Sequence, residues 1–342
     1  MRVGSLASVL MPTSTSVDYH TAGEPFRIVT SGAPVPDGRT VLDRRAAAQT
    51  GELDGLRALL CSEPRGHADM YGGFLVPPDD DGADVGVLFW HKDGFSTACG
   101  HGTIALATYL ADEGLVGVPH DGEGEVVIDV PSGRVRAVVA RSGGRVTGVR
   151  FRNVASYVVA RGLEVATSRG TVRADLSYGG AIYASVDAAS IGLRVSPEHL
   201  VDLIGVGREI KWALNDAPEA QHRDDPRLSG VYGTIWFEDA EPVSGAAHQR
   251  NVTVFADGEV DRSPCGSGTS ARLALLHDAG VVTLDRPLVH DSIVGTTFVG
   301  RVLGVDADGA VATEIEGAAY RTGEHRFVLD PHDPLGTGFT LR

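Results

Sequence analysis

The stretch CGHGTIA at residues 99–105 recurs as CGSGTSA at residues 265–271, and this internal repeat is the strongest structural signal in the chain. Upstream of the two copies, residues 84–89 and 251–255 have the alternating, β-branched content that is typical of strands. Each half of the chain therefore predicts a strand, a short loop, a cysteine, a turn of small residues and a helix. The repeat continues at the same offset through three further pairs: Leu110 and Leu276, Asp112 and Asp278, Gly114 and Gly280.

The two predicted helices carry almost no polar face. Residues 104–110 are apolar nearly all round and residues 273–276 almost as apolar, which is typical of a helix buried on every side. We therefore predict an α/β (α+β) chain of two pseudo-symmetric domains, each a sheet wrapped around a central helix. We expect an N-terminal α/β domain at residues 17–150, completed by residues 316–342, and a second α/β domain at residues 154–310.

Weaker patterns predict further elements. Residues 44–60 and 197–214 have helical spacing, residues 126–139 indicate a hairpin, and residues 145–153 indicate a strand. We interpret residues 1–16 as a loose leader, because they lack the long apolar run and the small-residue cleavage site of a signal peptide.

Composition and charge exclude several classes of function. The chain of 342 residues has a formal net charge of −15, which disfavours nucleic acid or an anionic membrane surface as a partner. No apolar run approaches the about 20 residues of a membrane span. Lys92 and Lys211 are the only lysines, so few candidates exist for a pyridoxal-phosphate Schiff base. Three cysteines in so long a chain indicate free thiols rather than a disulfide scaffold, and we expect a cytoplasmic protein.

Cys99 and Cys265 occupy positions that suit proton transfer at carbon. A helix N-terminus offers unpaired N–H groups and partial positive charge, and two facing ends form a site for a carboxylate. The same field lowers the pKa of a neighbouring thiol by roughly one to several units from about 8.5. Inversion at an α-carbon needs a base on one face and an acid on the other. We therefore predict that the two thiols flank one cleft, exchange roles with substrate handedness and titrate as a pair.

Neighbouring polar residues have two interpretations each. His101 is either a helix-cap residue or a substrate contact. Asp261 either caps the turn before Arg262 or meets a substrate ammonium group, which we favour. For Cys61 we expect a core or near-surface thiol with no chemical role.

Five motifs together resemble the proline racemase family, which includes 4-hydroxyproline 2-epimerases and trans-3-hydroxy-L-proline dehydratases. They run from about residue 18 to the C-terminus: HTAGEP at 20–25, MYGG at 70–73, CGHG at 99–102, SYGG at 177–180 and DRSPCG at 261–266. The chain departs from the family pattern at Ala22, Ala98 and Ser267, where Gly, Met and Thr are common.

The resemblance implies a two-domain fold like that of diaminopimelate epimerase, with a small-molecule substrate in the interdomain cleft and with neither cofactor nor metal. A homodimer is left open. By motif position it implies these roles: Cys99 and Cys265 as the acid/base pair, Gly100, His101, Gly266 and Ser267 as binders of the carboxylate, and Asp261 as the contact of the ring nitrogen.

The choice of reaction depends on Cys265. Residues 64–67, 94–97 and 179–181 look more like the dehydratase branch, yet the dehydratases typically carry Thr in place of the second cysteine. Because a second thiol is needed only to reprotonate the opposite face, we predict racemisation or 2-epimerisation of proline or a hydroxyproline. Dehydration of trans-3-hydroxy-L-proline is the alternative. A cysteine hydrolase, a non-catalytic amino-acid-binding protein and diaminopimelate epimerase fit less well, because they leave the duplicated cysteine or its DRSPC context unexplained.

Overall fold

The computed structural model of the chain describes residues 13–341. The α-helices are α1 (Val41–Ala48), α2 (Glu52–Cys61), α3 (Gly100–Asp112), α4 (Leu200–Leu214) and α5 (Gly266–Asp278). The strands are β1 (Ser14–Thr21), β2 (Glu24–Ser31), β3 (Gly72–Val76), β4 (Val85–His91), β5 (Gly94–Phe95), β6 (Gly122–Val130), β7 (Gly133–Ser142), β8 (Arg145–Arg152), β9 (Tyr157–Thr167), β10 (Gly170–Tyr178), β11 (Ile182–Asp187), β12 (Val231–Asp239), β13 (Ala247–Phe255), β14 (Glu259–Asp261), β15 (Leu288–Ser292), β16 (Thr297–Val305), β17 (Val311–Gly317) and β18 (Ala319–Phe327). Short 3₁₀ helices lie at Ala188–Ile191, Pro197–His199, Pro218–Ala220 and Pro226–Leu228.

The strands around each cysteine repeat the same topology. In the first half, β4 pairs antiparallel with β5 and parallel with β6. In the second half, β13 pairs antiparallel with β14 and parallel with β15. The predicted order of strand, loop, cysteine and helix is thus present twice, with matching hydrogen-bond partners. This confirms the pseudo-symmetric α/β arrangement read from the repeat.

Each central helix is enclosed by strands. Helix α3 packs against β1, β2, β7 and β8, and α5 packs against β9, β10, β16 and β17. Residues 100–111 of α3 and 266–276 of α5 are buried. Full burial of a leucine or isoleucine side chain stabilises a fold by about 1.5–3 kcal/mol. The packing of strands on these two helices is therefore a main source of the stability of the fold.

The first and last strands of the described part pair with each other: β18 is antiparallel to β1, which also pairs with β2. The strand β1 begins at Ser14, so the leader predicted for residues 1–16 is wrong for residues 14–16. These three residues pair with β18, and residues 15 and 16 also pair with β2. Residues 1–12 lie outside the described part. The boundaries at 17–150 with 316–342 and at 154–310 stay predictions.

The other predicted elements are present with one change. The hairpin of β6 and β7 and the strand β8 are confirmed, and residues 197–214 form a 3₁₀ turn followed by α4. The single helix expected at 44–60 is two helices, because Gly51 has extended backbone as the N-cap of α2. Within residues 13–341, no helix is both long and apolar enough to cross a membrane.

Candidate active site

The N-termini of α3 and α5 abut each other. Cys99 is the N-cap of α3 and Cys265 is the N-cap of α5. A Cβ atom added at Gly100 would lie 2.6 Å from the Cα of Gly266, and one added at Gly266 would lie 2.8 Å from the Cα of Gly100. Only glycine permits this approach. Two positive helix ends therefore converge on one point, which is an arrangement that binds a carboxylate.

Both predicted thiols border one cavity at this junction. Six of the seven predicted site residues line it: Cys99, His101, Asp261, Cys265, Gly266 and Ser267. Gly100 lies directly behind, at the contact between the helices. The cavity measures about 10 Å³, which is about the minimum for one water molecule. This conformation is closed, so a substrate enters only when the walls separate.

The two cysteines have different backbones despite their matching sequences. Cys99 is extended, with φ −157°, and its Sγ accepts a hydrogen bond of 3.2 Å from Gly102 N–H. Cys265 has φ +62°, a region that costs free energy for a side chain other than glycine and that clusters at functional sites. Its N–H donates to Ser263 Oγ at 3.1 Å, which helps to fix this conformation. The two cysteines therefore match in sequence but not in backbone conformation.

Burial raises the pKa of both thiols above the usual range. The N–H of Gly102 lowers the pKa of Cys99, but desolvation outweighs it, and the carboxylate of Asp261 raises the pKa of both cysteines. The predicted lowering of the thiol pKa is therefore wrong for the closed conformation. The helix field is present, but removal of the sulfur atoms from water dominates.

Asp261 and His101 face each other across the cavity wall. His101 Nδ1 lies 3.8 Å from Asp261 Oδ2 and 3.4 Å from Cys99 Sγ. Burial lowers the pKa of His101 to about 3, so its ring is neutral. Burial raises the pKa of Asp261 to about 6, so it carries the negative charge of the site at neutral pH.

The structure shows the surroundings of His101 and Asp261, whereas contact of either residue with a substrate stays a prediction. The N-cap of α3 is Cys99, so a cap-only role for His101 is wrong, and its ring borders the cavity. Asp261 caps the turn, because its Oδ1 accepts hydrogen bonds from the N–H and Oγ of Ser263 at 2.8 and 2.7 Å, and it also borders the cavity. Cys61 is fully buried elsewhere, in the core around α2.

Sequence reasoning missed a wall of tyrosine hydroxyls. Tyr71, Tyr183 and Tyr232 border the cavity. The Tyr71 hydroxyl hydrogen-bonds to Ser96 and, at 3.0 Å, to the Tyr232 hydroxyl, whereas the Tyr183 hydroxyl lies 2.7 Å from Ser267 Oγ. Tyr71 lies in the MYGG motif at residues 70–73, which is a signal that could have identified it. Tyr183 and Tyr232 lie in ordinary strand sequence and gave no signal.

A buried ion pair joins the HTAGEP and DRSPCG motifs. Glu24 is fully buried, and its Oε2 accepts from the backbone N–H of Arg262 at 2.8 Å and from the Arg262 side chain at 3.0 Å. Arg262 also lies 3.6 Å from Asp69. These contacts hold the turn before Cys265 against the first half of the chain.

One cluster in the described part of the chain has metal-ligand chemistry. Ligand atoms of His91, Asp93 and Glu259 lie within 4.8 Å of one another. The Lys92 ammonium lies 3.1 Å from Asp93 and 4.0 Å from Glu259, so a cation of the chain itself already offsets part of the negative charge of this cluster. None of these residues borders the thiol cavity.

The comparisons with known proteins place this protein in a class of enzymes, the isomerases and hydro-lyases of one family. The chain belongs to the proline racemase family, whose profile matches residues 16–340. This confirms the family resemblance drawn from the five motifs.

Individual relatives match along nearly their full length. The chain is 42% identical over 330 residues to a trans-3-hydroxy-L-proline dehydratase of Bacillus cereus, covering 96% of this chain and 98% of that one. It is 44% identical over 334 residues to a 3-hydroxyproline 2-epimerase of Burkholderia multivorans, with the same coverage. The crystal structure of a hydroxyproline epimerase from Agrobacterium vitis with bound trans-4-hydroxy-L-proline superposes with a TM-score of 0.88 at 33% identity, covering 96% of each chain. The predicted fold class is thereby confirmed.

Proposed function

We propose that this enzyme inverts the configuration at the α-carbon of proline or a hydroxyproline, with Cys99 and Cys265 as its acid and base. The observation that carries the proposal is that both thiols border one closed cavity. Inversion requires a base on one face of the carbon and an acid on the other. Both groups come from the chain, so no step draws on a cofactor or a metal.

The substrate carboxylate binds where the helices meet. The backbone N–H groups at Gly100, His101, Gly266 and Ser267 belong to the first turns of α3 and α5, whose N–H groups have no partner within their helix. They stabilise the carboxylate as it gains negative charge during enolate formation. The ring ammonium binds to Asp261, the anionic group of the cavity at neutral pH.

The proton transfers follow from this pose. One thiolate removes the α-hydrogen as a proton, and the opposite thiol donates its proton to the other face. The pair thereby exchanges protonation states, and the reverse reaction uses the opposite assignment. The ammonium of the substrate supplies the positive charge that favours a thiolate, since opposite charge within about 4–6 Å stabilises an anion.

The tyrosine wall supports a hydroxylated ring as the preferred substrate. Tyr71, Tyr183 and Tyr232 border the cavity where the ring would lie. Each of these hydroxyls already has one or two protein partners, but a phenolic hydroxyl can take part in three hydrogen bonds. A ring hydroxyl of the substrate would use the remaining capacity, which proline cannot do. Relatives that act on 3-hydroxyproline, or that bind trans-4-hydroxy-L-proline, agree with this preference.

Dehydration of trans-3-hydroxy-L-proline is the second candidate. Relatives at 42% and 44% identity bear the name of this dehydratase. The first step is the same proton abstraction by a thiolate. The 3-hydroxyl then takes up a proton from the resulting thiol and leaves as water, which regenerates the thiolate, and no reprotonation of the opposite face is needed. The presence of Cys265 in the cavity favours epimerisation.

We further propose that the enzyme works in the cytoplasm on small molecules alone. Its three cysteines are free and buried, which fits a reducing compartment, and its net charge of −15 fits neither nucleic acid nor an anionic membrane. A homodimer stays a prediction.

The decisive experiment compares three substrates in deuterated water: L-proline, trans-4-hydroxy-L-proline and trans-3-hydroxy-L-proline. Optical rotation reports inversion, mass spectrometry reports deuterium at the α-carbon, and absorbance or trapping reports pyrroline formation. We expect inversion with deuterium incorporation for at least one hydroxyproline. If the protein binds these compounds but incorporates deuterium at the α-carbon of none of them, the proposal is refuted.

Three cysteine variants separate the two candidate reactions. Cys99→Ala and Cys265→Ala should each abolish inversion, whereas Cys61→Ala, the matched control outside the cavity, should retain it. If Cys265→Ala dehydrates trans-3-hydroxy-L-proline at the wild-type rate, the dehydratase is the correct assignment. If it still inverts its substrate, the two-thiol mechanism is wrong.

A further inference from the structure

Arg272 is a buried charge without a carboxylate partner. It lies on α5, seven residues after Cys265, and is only 4% exposed. Among the described residues, no Asp or Glu oxygen pairs with its guanidinium within 4.0 Å. Burial of an unpaired charge is unfavourable by several kcal/mol on general grounds. Burial also lowers the pKa of Arg272 to about 10.

The guanidinium of Arg272 is held rigidly by neutral groups. Its Nη2 and Nε donate to Gln249 Oε1 at 3.0 and 3.4 Å, and its Cζ lies 3.9 Å over the ring of Phe237. Gln249 is in turn fixed by donation to Asp239 Oδ1 at 2.7 Å. One edge and one face of the guanidinium are thus occupied, whereas Nη1 has no partner in the described part of the chain. A rigid fork with free N–H groups matches the geometry of an oxyanion.

Arg272 borders a cavity of about 380 Å³ that shares no residue with the thiol cavity. Arg286 borders the same cavity, and its side chain donates to the backbone oxygen of Gly245 at 3.2 Å but pairs with no carboxylate in residues 13–341. The third arginine at the cavity, Arg161, is paired with Asp175 at 2.9 Å. Two arginines without ion-pair partners therefore border one space of ligand size. Its two carboxylates are already engaged, Asp175 by Arg161 and Asp239 by Gln249.

We propose that this cavity, between β12, β13 and α5, is a second ligand site that binds a small oxyanion, a carboxylate or a phosphate, on the free edge of Arg272. Arg286 supplies the second positive charge. The site is separate from the proposed active site. A bound anion would supply the negative partner that the Arg272 guanidinium lacks, on the helix whose N-cap is Cys265. The oxyanion can come from an organic acid or from inorganic phosphate.

Thermal unfolding of the full chain tests the site without any turnover. Inorganic phosphate, acetate and chloride are compared at constant ionic strength. At ten times its Kd, a bound anion should raise the Tm of a chain of this length by about 2 °C. A response to phosphate alone identifies a phosphate site, and a response to acetate alone identifies a carboxylate site. Equal responses identify a general oxyanion site, and no response to either anion overturns the proposal.

Variants locate the effect. Arg272→Met should abolish the shift and should fold, because an apolar side chain replaces an unpaired buried charge. Arg194→Met, which removes an exposed arginine outside the cavity, should retain the shift. If Arg272→Met fails to fold, Arg286→Gln should weaken anion affinity several-fold. A shift that persists in Arg272→Met, or that disappears when substrate saturates the thiol cavity, would place the anion in the active site and overturn the proposal.

Discussion

Substitution of Gly100 by alanine tests whether the helix contact is needed for activity. The added Cβ would lie 2.6 Å from the Cα of Gly266, whereas carbon atoms are in favourable contact at about 3.5–4.0 Å. The two N-termini must therefore separate by about 1 Å. Gly100 is not among the residues with positive φ, so alanine brings no backbone strain of its own to confuse the result.

The magnitude follows from the displacement. Overpacking of this kind destabilises a fold by about 1–3 kcal/mol, and a shift of about 1 Å in catalytic groups costs about 100-fold in rate. We expect Gly100→Ala to fold with a Tm a few degrees lower and to lose about 100-fold in kcat/KM. The assays are thermal unfolding and the initial rate of inversion with the best hydroxyproline.

A matched glycine provides the control. Gly205 lies in α4, and a Cβ added there meets no atom within 4 Å. Gly205→Ala should keep the wild-type kcat/KM and should stabilise the chain by about 0.5–1 kcal/mol, because alanine is the better helix former. If Gly100→Ala retains kcat/KM within twofold of the wild type, the argument that the abutting helix ends bind the carboxylate is refuted.

Two further predictions concern the polar groups of the cavity. Because the pKa of Asp261 is raised to about 6 and its ionised form binds the ammonium, kcat/KM should fall as the pH drops through about 6. This fall in kcat/KM at low pH should persist in His101→Gln, since the pKa of His101 is about 3. Asp261→Asn should lose activity at every pH. If the fall near pH 6 disappears in His101→Gln, its assignment to Asp261 is wrong. Tyr232→Phe removes one neutral hydrogen bond of about 0.5–1.5 kcal/mol and should lower kcat/KM for hydroxyproline roughly two- to tenfold while sparing proline. An equal loss for both substrates would show that the hydroxyl supports the wall rather than recognises the ring.

The sequence predicts the topology around the cysteines because the determinants are local. The glycines after each cysteine, the apolar helix that follows and the strand before it are all contiguous, so the repeat at residues 99–105 and 265–271 predicts two equivalent units. The hairpin of β6 and β7 follows in the same way from alternation around a turn at residues 131–133. The break between α1 and α2 was missed, since helical spacing alone does not weigh the cost of Gly51 in a helix interior.

Features of the site that depend on three-dimensional contacts were not predictable. The positive φ of Cys265 arises from the turn that Asp261 and Ser263 form before it, and nothing in the CGSG motif differs enough from CGHG to reveal it. The tyrosine wall joins residues 71, 183 and 232, which are far apart in the chain. The predicted direction of the thiol pKa shift was wrong because a sequence motif reveals the helix N-terminus, which lowers a thiol pKa. It does not reveal burial, which raises the pKa and depends on the whole fold.

The raised pKa of the thiols and the closed cavity fit together in the proposed reaction. The α-hydrogen of an amino acid is a weak acid, so a thiolate whose conjugate acid has a higher pKa is the stronger base for its removal. In the closed cavity, Asp261 and desolvation both oppose ionisation of Cys99 and Cys265. In the proposed reaction, binding of a cationic ring nitrogen to Asp261 cancels the effect of its carboxylate and thereby lowers the pKa of both thiols, while the larger effect of desolvation remains. Because only the thiolate is a nucleophile, thiols with a raised pKa react slowly with oxidants and electrophiles while the site is empty.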